Sequence, residues 1–175
     1  QSWAILEPLP QSEAVVLQRT HLCEFMSRLE MERNLEVASE WVERGLVELD
    51  TLDSQTSTVI HQKGYFYILL STLKGRTGKF SEAITAGEKG LTLLPLEATP
   101  AKISAFTTLG YVFHLLGEIA QSVNYTKYGI EIARELGDVR RLAALWMNLG
   151  NNEVQRANFS EAIVNYQKAL QLYQR

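Results

Sequence analysis

A periodic pattern of small and apolar residues between positions 143 and 170 constrains the fold of this chain more than any other feature. Its first half carries apolar residues near the 3.6-residue period of a helix, and Gly150 presents no side chain where a neighbouring helix should pack closely. In its second half Ala162 and Ala169 stand seven residues apart, two turns on one face, so a second helix can lie close against the first. Two antiparallel helices of this length cannot bury their apolar faces alone, so the pattern predicts a stack of helix pairs.

Weaker copies of this pattern run along the rest of the chain. The small residues that open the second helix of each pair align at steps of 45, 39 and 40 residues, at Ala38, Ala83, Ser122 and Ala162. We therefore predict one all-α domain over residues 1–175, with repeats at about 12–50, 56–95, 99–136 and 138–174. Residues 1–10 are interpreted as the end of a preceding helix. Because the first residue is Gln1 and not Met, we expect a piece of a longer protein.

The strongest copy resembles the tetratricopeptide repeat (TPR), a helix–turn–helix unit of 34 residues. The residues that carry the resemblance are Trp146, Leu149, Gly150, Ala157, Phe159, Ala162, Tyr166 and Ala169. The resemblance implies a right-handed α-solenoid of antiparallel helix pairs. The longer steps leave the HEAT/armadillo class, with repeats of about 40–47 residues, as an alternative, although the Trp-x2-Leu-Gly and Phe-x2-Ala signatures favour the TPR. Residues 132–138 are also similar to linkers in the TPR arrays of bacterial regulators of the MalT type and the GGDEF type.

Several residues mark where helices should begin. Ser12, Thr99 (before Pro100) and Asp138 are suited to cap the helices that follow them. Asn158 with Glu161 three residues later has the spacing of a capping box. The first helix is predicted to bury an apolar stripe made of Val15, Val16, Leu22, Phe25, Met26 and Leu29.

The composition narrows the function classes. A net charge of −3 and a pI near 5.7 argue against a nucleic-acid-binding surface, which is typically basic. No apolar run approaches the length of a membrane span. The single cysteine, Cys23, excludes an internal disulfide, which suits a reducing compartment, so we expect a cytoplasmic protein.

No constellation of residues is typical of catalysis or of metal binding. The three histidines, His21, His61 and His114, fall in different repeats, without cysteines or carboxylates at metal-ligand spacing. The segment from Lys74 to Lys79 resembles a phosphate-binding loop superficially, but it follows a helix and not a strand, so we predict a turn. The sequence therefore predicts no enzymatic activity, no metal and no cofactor.

The resemblance to TPR proteins implies that the first helices of the pairs line a concave groove that binds a protein or a peptide. Carried over by position, the partner-binding residues are Thr20, Cys23, Ser27, Tyr65, Ile68, Thr72, Arg76, Thr107, Tyr111, His114, Met147, Asn148, Asn151 and Gln155. This set is polar and aromatic, with Arg76 as its main cation. TPR proteins that clamp chaperone C-termini carry Lys, Asn and Arg at positions that are Cys23, Ser27, Leu69, Ser104 and Thr108 here, so we do not expect chaperone-tail binding.

Three functions are compatible with these features. The favoured one is a protein- or peptide-binding module of a bacterial signalling or transcription-regulatory protein. The first alternative is a sensor of a small-molecule inducer that controls an attached output domain. The second is a structural scaffold that forms homo-oligomers, because Leu170, Leu172 and Tyr173 lie on a C-terminal helix that no further helix covers.

Overall fold

The computed structural model describes residues 12–53 and 56–174, and these residues form eight α-helices and no strand. In chain order the helices are α1 (Glu13–Glu30), α2 (Leu35–Asp50), α3 (Ser57–Arg76), α4 (Phe80–Leu93), α5 (Pro100–Leu115), α6 (Ile119–Glu135), α7 (Val139–Gln155) and α8 (Phe159–Tyr173). Each odd-numbered helix packs mainly against the even-numbered helix that follows it. The predicted all-α architecture of helix pairs is confirmed. The interpretation of residues 1–10 lies outside the described residues.

The chain divides into two compact units at Leu94 and Pro95. In the first unit, α2 packs against both α1 and α3, and the pair α3–α4 follows. Its core contains the fully buried side chains of Phe66, Leu49 and Leu73. These apolar side chains supply the burial that stabilises the unit, since a single helix pair has too little core of its own.

The second unit contains α5, α6, α7 and α8. Here α7 contacts α8 and α6 most extensively, and it also touches α5. The core lies among these helices and includes Ile103, Ile130 and Leu145. The contact between α5 and α7 places the first helices of two consecutive pairs side by side, which is the arrangement that positions the site described below.

The predicted helix starts have two outcomes. Three caps are confirmed, because side-chain oxygens of Ser12, Thr99 and Asp138 accept hydrogen bonds from main-chain N–H groups three residues later, at 3.4, 3.3 and 3.0 Å. The capping box is wrong. Asn158 makes no side-chain cap, and its Nδ2 instead donates a hydrogen bond to Glu153 Oε2 at 2.8 Å. A cap would use Oδ1 of this side chain and a box would use its main-chain N–H, but the N–H donates to Glu153 O at 2.8 Å and the Nδ2 bond to buried Glu153 turns the side chain toward the preceding helix.

The small residues act as predicted at the close approach of paired helices. A Cβ atom added to Gly150 would lie 2.7 Å from Cδ1 of the Tyr166 ring, so glycine lets this ring pack directly over α7. Ser71 takes the equivalent place on α3, is fully buried, and donates a hydrogen bond to Ala83 O of α4 at 2.7 Å. The predicted turn after α3 is also confirmed, with Gly78 at φ +76°.

The apolar stripe predicted for α1 is only partly right. Val16 is buried as expected, but Phe25 is 63% exposed and Leu29 is 44% exposed. The buried face instead continues through small side chains, notably Thr20 and Ser27. Small residues let the neighbouring helix approach closely, and the Thr20 hydroxyl satisfies its hydrogen bond locally by donating to Leu17 O at 2.8 Å.

Candidate binding site

The structure corrects the sequence-based placement of four candidate residues in the first unit. Thr20, Cys23 and Ser27 of α1 are fully buried, and Ile68 of α3 is 1% exposed. Their side chains pack inside the unit, so a partner on its surface would not reach them. The prediction took the wrong face of α1 as the exposed one, because the small residues that were expected in the groove form the buried face of this helix.

The other three candidates of the first unit, all on α3, remain at least partly accessible. Tyr65 is half-buried, and its hydroxyl donates to Glu24 Oε1 at 2.8 Å and accepts a hydrogen bond from Arg28. Burial raises the pKa of this tyrosine, so its hydroxyl stays protonated. Arg76 is exposed and pairs with Glu32 at 3.4 Å. Thr72 is half-buried, with its hydroxyl donating to Ile68 O at 3.1 Å. The charged groups here are used in contacts within the unit.

The second unit brings four candidates together around one cavity. The cavity has a volume of about 150 Å³ and lies between α5, α6 and α7. Its walls are Gly110, Tyr111, His114, Leu115, Ser122, Asn148, Asn151 and Asn152. Gln155 lies next to it and touches His114. Of the remaining candidates, Thr107 is half-buried and donates to Ile103 O, and Met147 is exposed; neither lines the cavity.

A chain of hydrogen bonds forms the floor of this cavity. His114 Nδ1 lies 2.7 Å from Asn152 Oδ1, and Ser122 Oγ lies 3.0 Å from the same oxygen. With the Asn152 amide oriented so that its oxygen faces the ring, His114 donates this hydrogen bond from Nδ1, because an amide oxygen only accepts. Its Nε2 is then an acceptor for the Gln155 amide at 3.1 Å. The network joins all three helices, and it fixes the orientation of the imidazole and of the buried amide.

The rim of the cavity is positioned from α8. Tyr166, whose ring packs over Gly150, donates a hydrogen bond from its hydroxyl to Asn151 Oδ1 at 2.8 Å. Asn151 is exposed, and Tyr111 across the cavity is 48% exposed. The accessible groups are therefore uncharged hydrogen-bonding groups held in place by a buried scaffold.

Sequence reasoning missed the central residue of this network. Asn152 is 1% exposed, yet it was not among the candidate residues. A usable signal was present, because Leu145, Leu149 and Asn152 follow the i, i+4, i+7 spacing of an inward helix face. A polar residue at an inward position indicates a buried polar network. Ser122, where the repeat usually has alanine, is the matching signal on α6.

The remaining reactive groups of the described residues are inert or isolated. Burial raises the pKa of the Cys23 thiol to about 12, so the nucleophilic thiolate is not formed near neutral pH. Among residues 12–53 and 56–174, no three His, Cys, Asp or Glu side chains are grouped so that they could hold a metal ion. No helix in the described ranges is long and apolar enough to cross a membrane.

Comparison with known proteins gives the fold and no closer relationship. No protein-family model matches the sequence, and no protein with a curated description is similar to it. Among solved structures, BtubC (BKLC) from P. vanneervenii superposes with a TM-score of 0.72 at 22% identity, over 92% of this chain and 63% of its own. A Rap protein complexed with competence and sporulation factor superposes with a TM-score of 0.76 at 13% sequence identity; the match covers 97% of this chain and 45% of the Rap chain. MamA superposes with a TM-score of 0.66 at 16% sequence identity; the match covers 98% of this chain and 84% of the MamA chain.

This chain has a TPR-like helical-repeat fold. The comparisons do not extend the likeness to the MalT-type or GGDEF-type regulators. The chain spans 63% of BtubC and 45% of the Rap protein, so it matches only a part of each. Within the TPR-like fold, α5 and α7 are the first helices of consecutive pairs, and the cavity lies where they meet α6.

Proposed function

We propose that this TPR-like chain is a non-enzymatic module that binds a protein or peptide segment on the surface of α5 and α7. The observation that carries the proposal is the chemistry of that surface: Tyr111, Asn148 and Asn151 lie around one cavity and are all uncharged hydrogen-bonding groups. An extended segment presents main-chain N–H and C=O groups that need such partners, and an aromatic ring adds apolar contact area.

The setting in which the module works is part of the same proposal. A Rap protein with competence and sporulation factor bound is a precedent for a ligand on this fold. We propose a cytoplasmic bacterial signalling or transcription-regulatory protein, with a peptide as ligand and a small-molecule inducer as the alternative. The single cysteine supports a reducing compartment, because it leaves no internal disulfide.

Selection from a displayed library of random peptides tests the binding proposal. Peptides enriched on the wild-type chain should bind the double variant Tyr111→Ala, Asn151→Ala at least about 10-fold more weakly, because few residues carry most of the binding energy of an interface. The matched control is Asn124→Ala, Lys127→Ala, which changes two exposed residues of α6 that do not line the cavity. Circular dichroism confirms that each variant is folded. Equal affinities for the wild type and the Tyr111/Asn151 variant would refute the proposal.

A second candidate function, self-association, is favoured by α8. Phe159, Ile163, Leu170 and Tyr173 are each more than half exposed and recur at helical spacing on α8, and a contiguous apolar patch is typical of an association surface. If two copies associate through this helix, light scattering after size exclusion should show a dimer that Ile163→Arg with Leu170→Arg converts to a monomer. A wild-type monomer at high concentration would exclude this function.

A further inference from the structure

We propose that the cavity between α5, α6 and α7 is a specificity pocket for a carboxamide side chain, Asn or Gln, of the bound peptide. The inference rests on the proposed peptide-binding function and deepens it, because it names the chemical group that the site selects. It is carried by the buried amide of Asn152, which the network described above leaves half satisfied.

The two ends of the Asn152 amide differ. Its Oδ1 lies 2.7 Å from His114 Nδ1 and 3.0 Å from Ser122 Oγ, whose single hydrogen it shares with the closer acceptor Gly110 O at 2.7 Å. Its Nδ2 is buried and has no hydrogen-bond partner among the described residues. Buried polar groups are nearly always paired, and an unpaired donor destabilises the state that contains it. A carbonyl oxygen that reaches Nδ2 from the cavity would complete the network.

The charge of the walls selects a neutral ligand group. The eight wall residues include no Lys, Arg, Asp or Glu. A carboxylate that entered the cavity would lose its water without meeting a Lys or Arg side chain, and an apolar side chain would leave Nδ2 unpaired. A carboxamide avoids both costs. Its C=O accepts from Asn152 Nδ2, and its NH₂ donates to the Tyr111 hydroxyl or to the side-chain oxygen of Asn148 or Asn151.

The depth of the donor points to a side chain rather than the peptide main chain. Asn152 is 1% exposed, so a strand lying across the surface does not bring its own carbonyl groups to Nδ2. A side chain that projects from that strand can enter, because the cavity of about 150 Å³ is several times the share of about 30 Å³ that one water molecule takes in the liquid.

NMR titration of the ¹⁵N-labelled whole chain tests the pocket directly. The side-chain NH₂ signals of Asn152 are assigned from their loss in Asn152→Asp, which keeps the shape of the side chain and removes the donor. The probes are blocked peptides Ac-Gly-Gly-Xaa-Gly-Gly-NH₂, with Gln, Asn, Glu, Leu or Gly as Xaa, together with free propionamide. The Gln or Asn peptide should shift the Asn152 signals and bind roughly 5- to 100-fold more tightly than the Leu, Glu or Gly peptide.

Variants separate the pocket from general effects. Asn152→Asp should abolish the preference for Gln or Asn over Leu, as judged from the backbone signals of Tyr111 and Leu115. If that variant does not fold, the Asn152 signals are assigned instead on a ¹³C,¹⁵N-labelled sample, and Asn148→Ala on the rim should weaken binding of the Gln peptide while those signals remain. The control Asn124→Ala, on an exposed part of α6, should leave the preference unchanged.

Three results would overturn the inference. A Gly peptide that binds as well as the Gln peptide would assign the site to main-chain amides. Propionamide bound at least as tightly as the Gln peptide would assign it to free small amides. If the Asn152 signals respond to none of the probes, the cavity binds neither a carboxamide nor any other probe and contains only water. Each of these results is independent of the peptide selection on Tyr111 and Asn151, so failure of the pocket and failure of the proposed function can be told apart.

Discussion

The contact between Gly45 and Phe66 should control the stability of the first unit. Gly45 lies on α2 and faces the ring of Phe66 on α3, which is fully buried. A Cβ atom added at Gly45 would lie 2.7 Å from Cζ and 2.8 Å from Cδ1 of the ring, and closer still to Cε1. Since real Cβ atoms essentially never come within 3.0 Å of such neighbours, Gly45→Ala forces the ring or the helix to move.

Two opposing terms determine the size of the effect. Alanine is favoured over glycine inside a helix by about 1 kcal/mol. Overpacking a filled core costs about 1–3 kcal/mol, and we take the upper end because the Phe66 ring has no exposed side toward which to move. Gly45→Ala should therefore destabilise the chain by about 2 kcal/mol. For a chain of this length, this lowers the melting temperature by roughly 4–8 °C.

A double-mutant cycle measured by urea and thermal unfolding tests this reasoning. In the background of Phe66→Leu, whose shorter side chain leaves room, Gly45→Ala should be neutral or stabilising by up to about 1 kcal/mol, so the two sites should couple by about 2–3 kcal/mol. The matched control is Gly150→Ala. The Tyr166 ring in its path is half-buried and can turn toward solvent, so a smaller effect is expected. Equal destabilisation by Gly45→Ala with Phe66 and with Leu at position 66 would refute the steric argument.

Three further predictions concern ionisable groups. Hydrogen bonds from the main-chain N–H and the side chain of Arg141 lower the pKa of Asp138, so its contribution to stability is present above pH 4 and is lost as the pH falls through the lowered pKa. Asp138→Asn should therefore lower the melting temperature at pH 7 and make its fall below pH 4 less steep than in the wild type. The Cys23 thiol, with its pKa raised to about 12, should react with a disulfide reagent at pH 8 only after urea unfolds the chain, and rapid reaction of the folded chain would contradict its burial. Arg19→Ala should destabilise the chain by about 3 kcal/mol in urea unfolding, because it removes the buried guanidinium that pairs with Glu48 at 3.2 Å; a change below about 1 kcal/mol would show that the pair is solvated.

The comparison of α1 with α7 shows why parts of the candidate site could be predicted and others could not. On α7, Leu145 and Leu149 mark the inward face, and Met147 and Asn148 between them are exposed and half-buried, respectively, as the periodicity of the large apolar residues predicts. On α1 the inward face is built from small residues such as Ser27, while Phe25 points outward. Hydrophobic periodicity reads the face of a helix from large apolar side chains, so it gives the wrong phase where small residues form the contact.

The sequence by itself determined that this chain is all-α and built of helix pairs, and it located three of the caps. Those properties depend on residues that are close together along the chain. Examples are the 3.6-residue period, the Asp138 side-chain oxygen that accepts from the N–H of Arg141 three residues later, and Gly150 at the point where the paired helix packs closely. Only the tertiary structure decided which polar groups meet. Ser122 and Asn152 are separated by 30 residues in sequence and come together because α6 and α7 pack side by side. Local periodicity contains no information on such a pairing, since the same helix faces at another register would bring different side chains into contact.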